Sequence, residues 1–223
     1  DFRIKRFSIV LFKAIYFLIT APLGVILFRH EDWMPACLFG KGKQDIKLLW
    51  ENFPFNQDQP PMLVVYYCWE LGYHLHSLVY HLQSEKRNDF FENLLHHIAT
   101  VFLLIFSYCN NCGRIGVLVL ILHDIVDAII YTSKALNDMP VQTPVYIGFG
   151  MILVSFFRFR LYTLGYHVIP AAIDAKNHIP DGIPGSWLVY YLLVALLCVL
   201  WVLHAWWFYL ITGIVRTAIN NKG

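Results

Sequence analysis

The sequence predicts an all-α polytopic membrane protein, a bundle of about six transmembrane helices enclosing a lipid cavity with a polar floor. Three observations carry this. Of 223 residues, 58% are hydrophobic and 14% charged, with a mean hydropathy of +0.53; a soluble domain carries about a quarter charged residues. Apolar runs recur at lengths close to the ~20 residues that cross a bilayer. Inside those runs, at matching depths, stand histidines and carboxylates, which are costly in hydrocarbon and by default point to function. The formal net charge of +2 gives no reason to expect a nucleic-acid partner. Neither a repeat nor a low-complexity run divides the chain, so residues 1–223 read as one transmembrane domain.

The first span is Phe7 to Phe28. A polar segment from Arg29 to Pro61 follows, with "GKGKQD" and "NFPFNQDQPP" within it. The next spans are Met62 to Leu82, then Leu94 to Tyr108, which reaches full length if Phe90 and Phe91 join it, then Ile115 to Thr132. Val145 to Tyr166 and Trp187 to Thr212 complete the set. Trp33, Trp50, Trp187, Trp206 and Trp207 fall near span ends, as interfacial aromatic belts require. Basic residues do not fix the orientation. Arg3, Lys5, Arg6, Lys86, Arg87, Lys134 and Arg216 on one side nearly balance Arg29, Lys41, Lys43, Lys47, Arg114, Arg158, Arg160 and Lys176 on the other. The chain begins at Asp1 rather than Met, so an upstream segment is expected.

The polar residues agree in depth. At ~1.5 Å per residue, His96 and His97 lie roughly 13 to 15 Å above Arg87, and Asp124 and Asp127 roughly 15 and 10 Å above Lys134. His76 and His204 come out at roughly 15 to 18 Å from Lys86 and Arg216. Four helices therefore deliver polar groups to one slab. His123, Asp124 and Asp127 share a helical face. His96 and His97 point about 100° apart, so only one aims at a given target and the other buttresses it. A histidine or aspartate in a bundle can also be a satisfied packing residue, the bland alternative for His74, His76, His123 and His204 taken singly. Two imidazoles and two carboxylates at one depth favour chemistry. Glu70 sits deeper toward the opposite side, as a structural acceptor or a site residue.

Other chemistries fit less well. Imidazole and carboxylate can ligate metal, but the repeated histidine boxes of membrane di-iron enzymes are missing and no metal site is expected. Cys37, Cys68, Cys109, Cys112 and Cys198 form no zinc pattern. The C-x-x-C spacing at Cys109 and Cys112 lies on a loop and reads as incidental, with a disulfide to Cys37 expected only if that side is lumenal. A P-loop, a dinucleotide fingerprint and a G-x-S-x-G elbow are absent.

The segment "KRNDFFENLLHHIATVFLLIFSYCNNCGRIGVLVLILHDIVDAIIYTSKALND", Lys86 to Asp138, resembles the Lag motif of ceramide synthases, in the TLC-domain family. The double histidine, "FSY-x-NN", "R-x-G-x-L-V-L-x-L-H-D" and the second aspartate carry the likeness, which extends to "YYCWELGYHLHSL" and the Trp-rich last helix. An additional N-terminal helix and a homeobox-like segment, usual in the wider family, are not present in these residues, and the Arg29 to Pro61 loop differs, which bears on substrate preference. The resemblance implies acyl transfer from a fatty acyl-CoA to a sphingoid base in the endoplasmic reticulum membrane, giving ceramide or dihydroceramide. It implies no cofactor, acyl-CoA being a substrate, and as partners membrane lipids and a second copy or small membrane subunit. His96, His97, Asp124 and Asp127 are the expected catalytic set. One histidine serves as base or as nucleophile through an acyl-imidazole, and the aspartates orient it through a His–Asp contact between the third and fourth spans. His123, His76, His204, Glu70, Tyr108, Lys134 and Asn137 are expected to support the site or bind substrate. The loop from Tyr166 to Ser186 is implied in acyl selectivity. A non-enzymatic TLC-domain protein, sensing lipid or associated with a translocon, is the alternative.

Overall fold

A computed structural model describes residues 2–86, 88–136, 143–180 and 182–220. Among these the chain is helical, with no strand. Helix α1 (Phe2–Phe28) crosses from what we call the near side to the far side. A capping segment leads into α2 (Leu63–Gln83), then α3 (Phe90–Cys109) and α4 (Gly113–Leu136). Helix α5 (Thr143–Ser155) continues without a break through a wide-turn π segment (Phe156–Val168), α6 (Ile169–Asp174) and a 3-10 turn (Ala175–His178). Helix α7 (Ser186–Asn220) closes the order. Phe90 and Phe91 do belong to α3.

Five of these stretches are long and apolar enough to cross a membrane: Arg3–Phe28, Phe90–Cys109, Gly113–Leu136, Pro144–His178 and Ser186–Gly213. The chain is thus a multi-pass membrane protein. Helix α2 has 21 residues but is less apolar, because Glu70, His74, His76 and His81 interrupt it. It is nonetheless the sixth member of the bundle.

Helix α4 is the hub, packing against α1, α2, α3, α5 and the wide-turn segment. Its glycines permit close approach. A Cβ on Gly116 would fall 1.6 Å from the Tyr67 hydroxyl, which donates to Gly113 O at 3.1 Å and lies 3.2 Å from Ser107 Oγ. This lock ties α2, α3 and α4 together on the far side.

The segment between α1 and α2 is a folded cap, where the sequence suggested a polar connection. Trp33, Met34, Leu38, Leu49 and Trp50 are all buried in the main core. Trp50 Nε1 donates to Ala171 O at 2.8 Å, and Arg114 donates from Nη1 to Leu48 O at 2.6 Å and from Nη2 to Asp58 O at 2.7 Å. Outside the core, Lys43 pairs with Asp32 at 2.9 Å and, through its hydrogen bonds, holds that carboxyl below its usual range. Trp33 and Trp50 are therefore core residues and not belt residues. Trp187 and Trp206 do face outward.

The fifth span also runs further than expected, past Tyr166 to His178, leaving only residues 179–185 as the connection to α7. The wide turns are stitched by Thr163 Oγ1, which bonds Arg158 O five residues back at 2.8 Å. Normal α-helix resumes at Ile169–Pro170, where proline has no N–H to offer the preceding turn. All five cysteines are free thiols, so the conditional Cys37 disulfide is not formed.

Candidate active site

The single residue step between His96 and His97 sends them to different neighbours. His96 turns toward α4 and α7, with ring centroids 6.4 Å from His123, 5.9 Å from His204 and 5.4 Å from Trp207. His97 turns toward α2 and meets His81 at 5.4 Å. His123 and His204 are 4.9 Å apart. Three helices thus build one imidazole cluster from His96, His123 and His204.

Hydrogen bonding settles one tautomer. His123 Nδ1 lies 2.7 Å from Val119 O, and a carbonyl only accepts, so Nδ1 carries the proton. Its Nε2 is then a bare lone pair, buried and without a protein partner. His96 Nδ1 and both ring nitrogens of His204 are likewise buried and unpartnered. Buried polar atoms normally find partners. Of these rings, His96 and His123 line the cavity described below, whereas His204 is packed behind them. Among the described residues no group of three or more His, Cys, Asp or Glu side chains is arranged to hold a metal ion.

The aspartates do not touch the histidines as expected. Asp124, 1% exposed, accepts from the Tyr66 hydroxyl at 3.0 Å. Asp127 Oδ2 pairs with Arg160 Nη2 at 2.7 Å. The same Arg160 nitrogen stands 3.4 Å from His123 O, and the guanidinium lies over the Phe156 ring. The expected His–Asp contact is not made: Tyr66 of α2 occupies Asp124, and the guanidinium of Arg160 occupies Asp127 in a charge-assisted pair. Arg160 is thus a buried member of the site and not a charge on the far side.

A cavity of about 410 Å³ begins at this cluster. His74, His96, Thr100, His123 and Asp127 line its polar end. Leu103, Leu104, Val119, Leu193, Val194 and Leu197 form apolar walls. At the far end stand Phe53, Pro54 and Phe55 of the cap and Ile179, Pro180 and Ile183 of the last connection. Thr100 also bonds its hydroxyl to His96 O at 2.8 Å, one turn along α3.

Several expected residues lie elsewhere. His76 is exposed on the other side of α2, against Phe12 and Tyr80, one helical face away from the cluster. His74, from the same helix, takes the place it was expected to fill. Glu70 is fully buried, its Oε2 3.7 Å from His74 Nε2, and supports that ring from behind the cavity. Tyr108 is exposed beside Tyr67 at the end of α3. Lys134 is exposed on the near side, over the Tyr131 ring. Asn137 and Arg87 lie outside the described residues. Arg160, Tyr66 and Thr100 were missed. Only Arg160 left a signal, a cation inside the apolar "FFRFRLY" run.

Residues 6–213 match the family model described as TLC domain. The chain is 32% identical over 219 residues to "Ceramide synthase 4" of Mus musculus, covering 97% of this chain and 52% of that protein. It is 27% identical over 215 residues to "Ceramide synthase LOH2" of Arabidopsis thaliana, covering 96% and 69%. With "Ceramide synthase hyl-2" of Caenorhabditis elegans the identity is 29% over 219 residues, covering 94% and 63%. The chain thus spans about half the length of the mouse relative and about two thirds of the other two.

Proposed function

The chain belongs to the TLC-domain family, and from that premise we propose that it is a ceramide synthase of the endoplasmic reticulum membrane. In this reading it moves a fatty acyl group from acyl-CoA to the amino group of a sphingoid base. The observation that carries the reading is that His96 and His123, with His204 packed behind them, stand at one end of a cavity whose walls are mainly leucine and valine. Similarity to proteins named ceramide synthase supplies the substrate classes.

The chemistry follows from the residues. The thioester carbonyl is held beside His96, and its acyl chain lies along the leucine and valine walls, where burial removes apolar surface from water. The amine gives up a proton to a neutral imidazole, and nitrogen bonds to the carbonyl carbon. The C–S bond then breaks and the CoA thiolate takes a proton from imidazolium. If His96 first accepts the acyl group, its ring nitrogen bonds the carbonyl carbon as the C–S bond breaks and the thiolate leaves with a proton; the amine nitrogen then bonds that carbon as the carbon–imidazole bond breaks, and the freed imidazole takes the amine's proton. Of the adjacent pair, His96 lines the cavity and His97 does not, which supports His96 for either route.

The test is direct. Detergent-purified protein given palmitoyl-CoA and sphinganine should form dihydroceramide, and His96→Ala should abolish it while the protein stays folded. Absence of product from the wild-type chain, or unchanged turnover in His96→Ala, would overturn the reading in favour of a non-enzymatic lipid-binding role.

A further inference from the structure

We propose that Asp127, held in place by Arg160, is the recognition point for the cationic amine substrate. This rests on the acyl-transfer reading above and names the group that distinguishes an amine from an alcohol within it.

The cavity lining supplies the first reason. Among the described residues that line it, Asp127 is the only one bearing a formal charge at neutral pH; the rest are apolar, hydroxyl, amide, thiol or imidazole side chains. A long-chain base arrives as an ammonium ion, and moving an ammonium ion into an apolar cavity is unfavourable unless it meets an anion. Among the described lining residues, Asp127 is the one carboxylate.

The second reason is how that anion is kept. Arg160, 4% exposed, is not part of the lining, so it approaches the carboxylate from behind. It takes Oδ2 at 2.7 Å and reaches His123 O at 3.4 Å, while its own Nε has no partner. The Asp127 side chain keeps 19% of its surface exposed. One oxygen is thereby fixed and the other left to accept from a ligand. Arg160 offsets the burial of the carboxylate without offering its own charge to the cavity. It acts through Asp127 and is a positioning residue.

The third reason is register. His123 and Asp127 are four residues apart on α4, so their side chains are neighbours on one helical face. An ammonium on Asp127 stands next to the bare Nε2 of His123, inside the imidazole cluster. The same contact places the nitrogen so that His123 Nε2 takes the ammonium proton, which is released to solvent when the product leaves; the proton the neutral amine loses on attack is the one passed through His96 to the thiolate.

Binding measured without acyl-CoA separates this inference from the acyl-transfer reading. Wild-type protein is titrated with octadecylamine and with octadecanol, following intrinsic tryptophan fluorescence. The amine should bind at least tenfold more tightly. In the paired neutral variant D127N/R160Q, which leaves no buried charge unmatched, that preference should fall to within twofold, with a thermal midpoint near wild type. In turnover assays of that variant the KM for sphinganine should rise at least tenfold and the KM for palmitoyl-CoA less than twofold. A charge-swapped D127R/R160D protein, which restores the ion pair but shows the cavity a cation, should fold and still not recover amine preference. Recovery of full amine preference by the swap would make the pair purely structural and overturn the proposal, as would a neutral variant that still prefers the amine. If neither variant folds, equal affinity of the wild-type protein for the amine and the alcohol is sufficient to overturn it. Amine preference without any ceramide formation would leave this inference standing and sink the acyl-transfer reading alone.

Discussion

One step along α3 rotates a side chain by about 100°, and that rotation assigns different work to two adjacent histidines. His96 meets His123, His204 and Trp207 at the polar end of the cavity, whereas His97 packs on His81 outside it. General acid–base groups contribute about 10² to 10⁴ in rate. His96→Ala should therefore lower kcat by at least about 10², and His97→Ala by no more than about tenfold, acting through the packing of α3 on α2. Equal losses in the two variants, both melting as wild type, would refute this division. Asp127→Ala alone is a poor probe, because it strands a buried guanidinium at a cost of about 3–5 kcal/mol. The sequence showed that these residues share a slab of the membrane, because helical rise converts numbering into depth. It did not show which direction each one faces across the slab. His74 and His76 have nearly the same depth on α2, and only the rotation of that helix puts one in the cavity and the other outside. The partners of Asp124 and Asp127 were also hidden, since Tyr66 and Arg160 come from helices whose contacts no local pattern records.

Among the elements, the far-side lock between α2 and α4 depends on Gly116 having no Cβ. Gly116→Ala would drive a methyl group into the Tyr67 hydroxyl and should destabilise the fold by about 1–3 kcal/mol, the usual cost of overpacking. Tyr67→Phe removes the nearest atom and also two polar contacts, so by itself it should cost about 1 kcal/mol. In the double variant the two losses should total less than their sum, by about 1 kcal/mol, because neighbouring sites couple. Strict additivity in thermal or denaturant unfolding would show that the two side chains do not meet. The connection at 179–185 offers a test tied to function. Ile179, Pro180 and Ile183 line the cavity at the end away from His96, so in the proposed reaction a longer acyl chain would reach them. Exchanging Ile179 and Ile183 for alanine should shift the preferred acyl-CoA toward longer chains, with kcat on the best substrate within about threefold of wild type, since the imidazole cluster is untouched. A uniform drop across all chain lengths would mean that the segment only supports the fold. The spans themselves were readable because hydrocarbon demands long apolar runs. The cap at 29–62 was not, because its buried Trp33, Leu49 and Trp50 are spaced irregularly among polar residues and follow neither helical nor strand periodicity.

For the molecule as a whole, the proposed acyl transfer predicts an orientation in the membrane that the charge distribution does not. Arg158 and Arg160 leave the far-side tally once they are seen within the Pro144–His178 span, and the two sides still differ by too little to fix the orientation. The proposed donor supplies a different argument. Acyl-CoA carries phosphates that stay in water, and it is presented from the cytosol, so its thioester must reach His96 over the shorter protein path. Residue His96 lies six residues into α3 from Phe90 at the near side, about 9 Å of helix rise. From Cys109 at the far side the distance is about 20 Å. The cavity occupies the longer of these two stretches, as an acyl chain running away from the near side requires. The near side should then face the cytosol and the cap with residues 179–185 the lumen. In a background with the five native cysteines replaced, Glu85→Cys in sealed microsomes should react with a membrane-impermeant maleimide, and Lys176→Cys should react only after permeabilisation. Both positions are exposed, so failure to label would not stem from burial. The opposite pattern would place the CoA head beyond the cap, where the path to His96 runs through the apolar cavity, and would rule out the direction of acyl entry derived from this bundle.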